Sequence, residues 1–189
     1  GGTLARLAIE AGYDVVLSNS RTPRSLKDQV AALGEKARAG TPTDAANAGD
    51  IVVVSVPLRA YPTLPVEPLI GKTVLDTCNY YPQRDGHIAV LDTDATTSSH
   101  LVAKHLIGAH VVKAFNNIYF KNLESLPRPP GAPDRSALPI AGDDESAKAA
   151  AADFINAIGY DVVDAGPLEA GRLFQVGTPA YVAPYGGPD

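Results

Sequence analysis

The chain has 189 residues, of which 45% are hydrophobic and 20% charged, and its net charge is −5. This length predicts a single domain over residues 1–189 with a sizeable core and a short C-terminal extension over about 168–189. The acidic balance argues against nucleic acid or an anionic membrane as a partner, and no apolar run approaches the roughly 20 residues that span a bilayer.

The chain opens on a glycine pair and a short helical pattern. Gly1 and Gly2 precede a predicted helix from Thr3 to about Ala11, which Gly12 ends. A nucleotide-binding unit needs a strand before its glycine turn. We therefore expect that one strand and the first glycines of a G-x-G-x-x-G turn are missing from the start. The alternative is that the glycine pair is a cloning remnant or an ordinary flexible terminus.

A polar loop follows the first strand, and it carries the clearest functional signal. The buried run Val15–Leu17 leads into Ser18, Asn19, Ser20 and Arg21, with Arg24 one turn further on. NAD-preferring proteins usually place an acidic residue here to bind the ribose 2′-hydroxyl, whereas this loop offers hydroxyls, an amide and a guanidinium. Such groups hydrogen-bond a 2′-phosphate with charge assistance, so the loop predicts NADP(H) as the cofactor.

The rest of the chain alternates predicted strands and helices. In order, the expected elements are a helix over 25–33, a polar crossover over 41–47, a strand over 50–56, a strand over 73–76, a loop over 80–90, a helix from Ser98 or Ser99 to about 106, a strand over 111–115, a strand over 138–142, a helix from Asp143 or Asp144 to 158, a strand over 160–164 and a last helix near 168–176. The pattern predicts an α/β fold: a doubly wound, mainly parallel Rossmann-type sheet whose first strand is absent from this sequence.

Prolines mark the irregular segments. Their density between Arg59 and Leu69 argues against a long helix there, because proline lacks the backbone N–H that a helix interior needs. We interpret Pro127–Pro139 as a surface loop, with a domain boundary as the alternative, and residues 179–189 as a docked or frayed tail.

Function in such a sheet lies at the carboxyl ends of the strands. We expect Val56 and Pro57 to run along the dinucleotide. The strand ends at Cys78 and Asn79 and at Ala114 are expected near the nicotinamide, and the substrate candidates that follow are Phe115, Asn116 and Asn117.

No catalytic acid–base pair is evident, and we assign no catalytic residue. Cys78 has no adjacent base to activate it, so a packed structural cysteine is the better interpretation; a single cysteine also suits a reducing, cytoplasmic location. His87 is a surface histidine or, alternatively, a proton donor, and the spacing of the other histidines forbids a shared metal-binding face on a helix. Hydride transfer needs little beyond a bound cofactor and an aligned acceptor.

With these motifs, the chain resembles the NADPH-dependent F420 reductase family, the F420H2:NADP oxidoreductases. The resemblance rests on the segments Gly1-Gly2-Thr3-Leu4-Ala5, Ser18-Asn19-Ser20-Arg21, 50–57, 112–116, 141–144 and 164–168. It implies that Ser20 and Arg21 recognise the 2′-phosphate. It also implies hydride exchange between NADPH and the deazaflavin coenzyme F420, a small-molecule electron acceptor, commonly in a homodimer.

Two other functions stay open at this point. A non-enzymatic module that senses NADP(H) and reports it to a partner would also lack acid–base residues. An imine reductase related to pyrroline-carboxylate reductase would share the N-terminal architecture, but such enzymes normally add a large helical dimerisation domain for which this chain is too short.

Overall fold

A computed structural model of the protein describes residues 1–186. Its strands are β1 (Val15–Leu17), β2 (Ala37–Ala39), β3 (Ile51–Val54), β4 (Thr73–Asp76), β5 (His110–Lys113), β6 (Ala137–Gly142) and β7 (Asp161–Asp164). Its helices are α1 (Gly2–Glu10), α2 (Lys27–Leu33), α3 (Pro42–Ala48), α4 (Pro82–Asp85), α5 (Ala89–Asp92), α6 (Ser98–His105), α7 (Phe120–Ser125) and α8 (Glu145–Ala157).

The strands form two sheets. β1 pairs with β2 in parallel, and a five-stranded sheet has the order β3-β4-β5-β6-β7. In the larger sheet only the β5–β6 pairing is antiparallel, with Val112 opposite Gly142. The α/β, mainly parallel, Rossmann-type fold is thereby confirmed. Within residues 1–186 no strand pairs with the free edges of β1 and β3, and the additional first strand stays a prediction.

Helices cover both faces of the larger sheet. Successive side chains of a strand point to opposite faces, and neighbours on β4 and β5 accordingly belong to different apolar clusters. Leu75 and Val112 pack with α1 and α8, whereas Val74 and Val111 pack with α6 and the turn after β3. The burial of both faces explains why β-branched residues run almost without interruption along these strands.

Several predicted boundaries shift for local reasons. The crossover at 41–47 is the helix α3, because Thr41 and Asp44 form a reciprocal capping box and Pro42 opens the first turn. The side chain that caps α6 belongs to Thr97, and the one that caps α8 belongs to Asp144.

Other elements differ in kind from the prediction. The proline-rich segment contains only the 3₁₀ turns Leu58–Thr63 and Glu67–Leu69, as expected from its composition. The last predicted helix is also a 3₁₀ turn, Leu168–Phe174. β2, α7 and the short helices α4 and α5 have no counterpart in the prediction. The predicted tail is a series of turns as far as Gly186, and its residues 187–189 lie outside the described part.

No helix within residues 1–186 has the length and apolar character that a membrane crossing requires. The domain organisation stays a prediction.

Candidate functional site

A cavity of about 610 Å³ lies at the carboxyl ends of β3, β4 and β5. This is the edge of the sheet where Rossmann-type folds bind ligands. The lining residues are Ser55, Val56, Pro57, Thr77, Asn79, Tyr81, Arg84, Phe115, Asn116, Ile118, Tyr119, Phe120, Tyr181 and Val182. The three strand ends supply the floor, and the C-terminal segment around Tyr181 supplies a wall.

The start of α1 lies at the same edge. The Gly1 nitrogen donates to the Ser55 hydroxyl at 3.1 Å, and this serine follows the carboxyl end of β3. α1 packs on β1 and precedes it in the chain, so the helix start and the end of β1 lie at one edge of the structure. The polar loop after β1 and the cavity therefore share an edge, as a dinucleotide that extends across it requires.

The side chain of Asn19 fixes the conformation of the loop after β1. Its Oδ1 accepts from the Arg21 backbone N–H at 2.9 Å, and its Nδ2 donates to the Ser25 hydroxyl at 2.9 Å. This amide therefore shapes the turn. The side chains of Ser18, Ser20, Arg21 and Arg24 are exposed. Within residues 1–186 neither arginine forms an ion pair with a carboxylate, so both guanidinium groups are free to bind an anion.

Asparagine amides join the strand ends to the C-terminal segment. Asn79 donates to the Asn116 carbonyl at 2.7 Å, and Asn116 donates to the Phe174 carbonyl at 2.9 Å. Asn117 donates to the Ala180 carbonyl at 3.0 Å. The side-chain oxygens of Asn116 and Asn117 are buried and accept no hydrogen bond within the described residues. Buried polar atoms normally have partners, so the oxygen of Asn116, which lines the cavity, marks a place where a ligand's donor would be accommodated.

The backbone around this cluster is strained. Phe115 has φ = 61° and Val182 has φ = 63°, in the left-handed region that bulky and β-branched residues rarely adopt. Such conformations cost on the order of 1–3 kcal/mol and persist where the surrounding contacts enforce them, often beside ligands. Both residues line the cavity.

A buried polar network lies under the cavity floor. Ser99 donates to an Asp76 carboxylate oxygen at 2.7 Å and accepts from the Lys113 ammonium group at 3.0 Å, and Asp76 and Lys113 are completely buried. Burial lowers the pKa of Lys113. The other Asp76 oxygen accepts from the Cys78 backbone N–H at 2.9 Å, which fixes the exit of β4 toward Asn79.

Cys78 is a packed residue, as predicted. It is 2% exposed, and its thiol lies 3.3 Å from the Val56 carbonyl oxygen. Burial, followed by the negative charge of Asp76, raises the pKa of this thiol, the opposite of what a nucleophilic cysteine needs.

Five of the predicted residues line the cavity: Val56, Pro57, Asn79, Phe115 and Asn116. The other ten do not. Cys78, Ala114 and Asn117 are buried in the structure around the cavity. The remaining seven belong to the start of α1 and to the loop after β1: Gly1, Gly2, Ser18, Asn19, Ser20, Arg21 and Arg24. The prediction missed the aromatic wall of Tyr81, Tyr119, Phe120 and Tyr181, together with Arg84. Only the aromatic-rich motifs Tyr80-Tyr81-Pro82 and Tyr119-Phe120 gave a signal, since no local pattern indicates that Tyr181 folds back onto the sheet.

The histidines lie apart and have separate partners. His105 contacts the Leu64 carbonyl at 2.9 Å, His100 contacts the Thr97 hydroxyl at 2.8 Å, and His87 pairs with Asp92 at 3.2 Å on the surface. Within residues 1–186 no three His, Cys, Asp or Glu side chains are grouped as metal ligands.

Residues 1–80 match the family described as NADP oxidoreductase, coenzyme F420-dependent. The chain is an NAD(P)-dependent oxidoreductase. The family match covers the glycine start, the polar loop and the strand ends at Val56 and Asn79, so the resemblance inferred from the sequence is confirmed over that part of the enzyme. No curated protein matches the chain.

Solved structures resemble the oxidoreductase over nearly its whole length. A hypothetical protein from Sinorhizobium meliloti is 28% identical with a TM-score of 0.82, over 95% of this chain and 87% of that one. A candidate F420-dependent NADP reductase from Arthrobacter sp. FB24 is 21% identical with a TM-score of 0.76, over 90% and 82%. A reductive aminase from Aspergillus terreus with NADPH is 15% identical with a TM-score of 0.61, over 90% of this chain but 54% of that one. The last two show a shared fold.

Proposed function

We propose that the enzyme transfers a hydride between NADP(H) and a flat, conjugated acceptor of the deazaflavin class, coenzyme F420 or a similar molecule. The observation that carries this proposal is the cavity at the carboxyl edge of the sheet. Its walls are aromatic rings, amides, hydroxyls and the Arg84 guanidinium, and within residues 1–186 its lining contains no carboxylate or imidazole.

The residues present fit NADP(H). Ser18, Ser20 and Arg21 offer hydroxyls and an unpaired guanidinium to the 2′-phosphate, while Asn19 holds the loop in shape. Gly1 and Gly2 at the start of α1 would lie beside the pyrophosphate, where helix N–H groups favour an anion. Val56 and Pro57 would cover the dinucleotide, and Asn79 and Asn116 would border the nicotinamide. When bound, NADPH supplies the hydride.

The described residues of the lining offer tyrosine hydroxyls but no carboxyl or imidazole group, which favours an acceptor that needs no strong acid from the protein. A simple carbonyl requires a proton at its oxygen as the hydride arrives, and enzymes usually provide it from a positioned side chain. A conjugated ring spreads the added charge and exchanges its proton with solvent. The chain's own contribution is then to orient two rings and exclude water from between them.

Stopped-flow absorbance tests the proposal directly. The enzyme is mixed with NADPH and, in separate runs, a deazaflavin, a flavin, a small aldehyde and a cyclic imine. We expect rapid loss of NADPH absorbance with the deazaflavin and slower loss with the flavin. Turnover with the imine alone would favour an imine reductase, and no turnover with any acceptor would count heavily against hydride transfer.

A second candidate function uses the same observation. A lining whose described residues include no carboxylate or imidazole is also expected of a module that binds NADP(H) and reports it to a partner. Calorimetric binding of NADPH with a micromolar or lower Kd, together with no hydride transfer in the acceptor panel, would favour this reading.

A further inference from the structure

Two tyrosines that are far apart in the sequence meet at the cavity. Tyr81 precedes α4 after β4, Tyr181 lies in the C-terminal segment, and their hydroxyl groups are hydrogen-bonded to each other. Both side chains are half-buried and line the cavity. This contact is the point where the C-terminal segment reaches the β4 side of the site.

Tyr81 is held in place by contacts with Arg84 and Asp85. Its backbone N–H donates to an Asp85 carboxylate oxygen at 3.0 Å, and the Arg84 guanidinium lies over its ring with 4.8 Å to the centroid. Arg84 itself donates to the Asn79 carbonyl at 2.7 Å and pairs with Asp85 at 2.8 Å. The ring is therefore held by a cation–π contact whose cation is already anchored.

Tyr181 is fixed by its neighbours. The Val182 backbone N–H donates to the Asn117 carbonyl at 2.8 Å, and the Asn117 side chain donates to the Ala180 carbonyl at 3.0 Å. These bonds hold Val182 at its positive φ and direct the preceding tyrosine toward the cavity. Strained residues that their surroundings hold in place, such as Val182 next to Tyr181, cluster at ligand-binding sites.

The hydrogen bond between Tyr81 and Tyr181 leaves one of their two hydroxyl protons unused. Two hydroxyls carry two protons, and one hydrogen bond between them consumes one. The other proton is available to an acceptor atom in the cavity, and a hydroxyl that accepts one bond donates the next more strongly. Burial raises the pKa of Tyr181, so it stays a neutral donor around pH 7.

We infer that the Tyr81–Tyr181 hydroxyl pair determines acceptor specificity, by donating a hydrogen bond to the carbonyl edge of a flat, conjugated ring in the cavity. This inference rests on the proposed function, since it names the group that reads the acceptor at that site. The aromatic side chains Tyr119 and Phe120 line the same cavity and suit a flat ring.

The test compares Tyr81→Phe, Tyr181→Phe and the double variant with Tyr160→Phe. Tyr160 is the matched control because its hydroxyl donates to the Leu123 carbonyl at 2.9 Å, outside the cavity lining. We expect the deazaflavin KM to rise about 3- to 10-fold in each cavity variant, the scale of one lost neutral hydrogen bond, with kcat and the NADPH Kd changed less than about 2-fold. The double variant should resemble the singles, because the two hydroxyls act as one unit.

An unchanged KM in Tyr181→Phe, or an equal rise in Tyr160→Phe, would overturn the inference while leaving hydride transfer intact. Calorimetric binding of riboflavin to the NADP⁺-saturated protein gives a readout that needs no turnover. If the wild type binds riboflavin more tightly than Tyr181→Phe but transfers no hydride, the specificity pair stands and the proposed function fails. Equal riboflavin affinities would reject the pair.

Discussion

The cofactor side and the acceptor side of the site differ in how firmly they are held. All three residues of β1 are half-buried, and the phosphate loop after it exposes both arginines. The ends of β4 and β5 are buried, cross-linked by Asp76, Ser99 and Lys113, and covered by the C-terminal segment. On the proposed function, the enzyme thus pre-forms the side that would align the acceptor ring, and leaves open the side that would bind the 2′-phosphate.

The largest expected effect comes from the buried network on the acceptor side. Asp76→Ala would leave the Ser99 hydroxyl and the Cys78 backbone N–H without their buried acceptor, at about 1–3 kcal/mol of unfolding free energy each, and would remove the negative charge near Lys113. Urea denaturation followed by circular dichroism measures it. Asp50→Ala, at an exposed carboxylate just before β3, is the control and should change stability by less than about 0.5 kcal/mol. A loss below about 1 kcal/mol in Asp76→Ala would mean that water reaches the network.

The next effect belongs to the cofactor side. Arg21→Ala should weaken NADPH binding by about 1–3 kcal/mol, the scale of a charged hydrogen bond, and leave NADH binding nearly unchanged. Calorimetric titration of both cofactors measures the difference. Arg24→Ala, one turn further along, should have the smaller effect. Equal losses for NADPH and NADH would show that the loop is structural and does not read the 2′-phosphate.

Removing one helix cap beside each of the two sheets gives a matched pair of variants. Thr41 caps α3 beside the small sheet, and Asp144 caps α8 on the large one. Replacing either by Ala should cost about 1 kcal/mol, because a buried or structured N–H loses its acceptor. If the two sheets unfold together, both variants lower the midpoint of one thermal transition. Two separate transitions, each moved by one variant only, would show that the regions unfold independently.

The smallest effect is a pH dependence at the opposite edge of the larger sheet, where β7 ends. The hydrogen bond from Lys148 to Asp164, at 2.8 Å, lowers the pKa of that carboxyl. Its stabilisation is therefore fully present above the unfolded pKa of about 3.9 and is lost as pH falls through the lower folded pKa. Lys148→Met should flatten the acid limb of the stability curve below about pH 4. Wild type and variant curves that stay parallel there would contradict the pairing.

The sequence predicts the cofactor side of the site better than the acceptor side. The polar loop after β1 and the strand ends at Val56 and Asn79 were readable because strand, turn and functional residue are adjacent in the chain. Glycine and proline stops placed most helices and strands within a few residues.

The aromatic wall on the acceptor side could not be predicted from the sequence. Tyr181 reaches Tyr81 through a turn at Val182 whose positive φ contradicts the residue's own preference, so local propensity points away from the observed structure. β2 and α7 were missed because three and six residues carry too little periodicity to be recognised. The side-chain network of Asp76, Ser99 and Lys113 depends on three-dimensional proximity that no spacing reveals.

The buried thiol of Cys78 gives this enzyme a built-in reporter. A thiol reagent reaches the sulfur only when the junction between β4 and the turn after β3 opens, since the side chain is 2% exposed and contacts the Val56 carbonyl. The chain has one cysteine, so each labelling event corresponds to one opening of the structure at the floor of the site. The rate of labelling thus measures the local opening equilibrium where the two rings must be aligned, without any added probe.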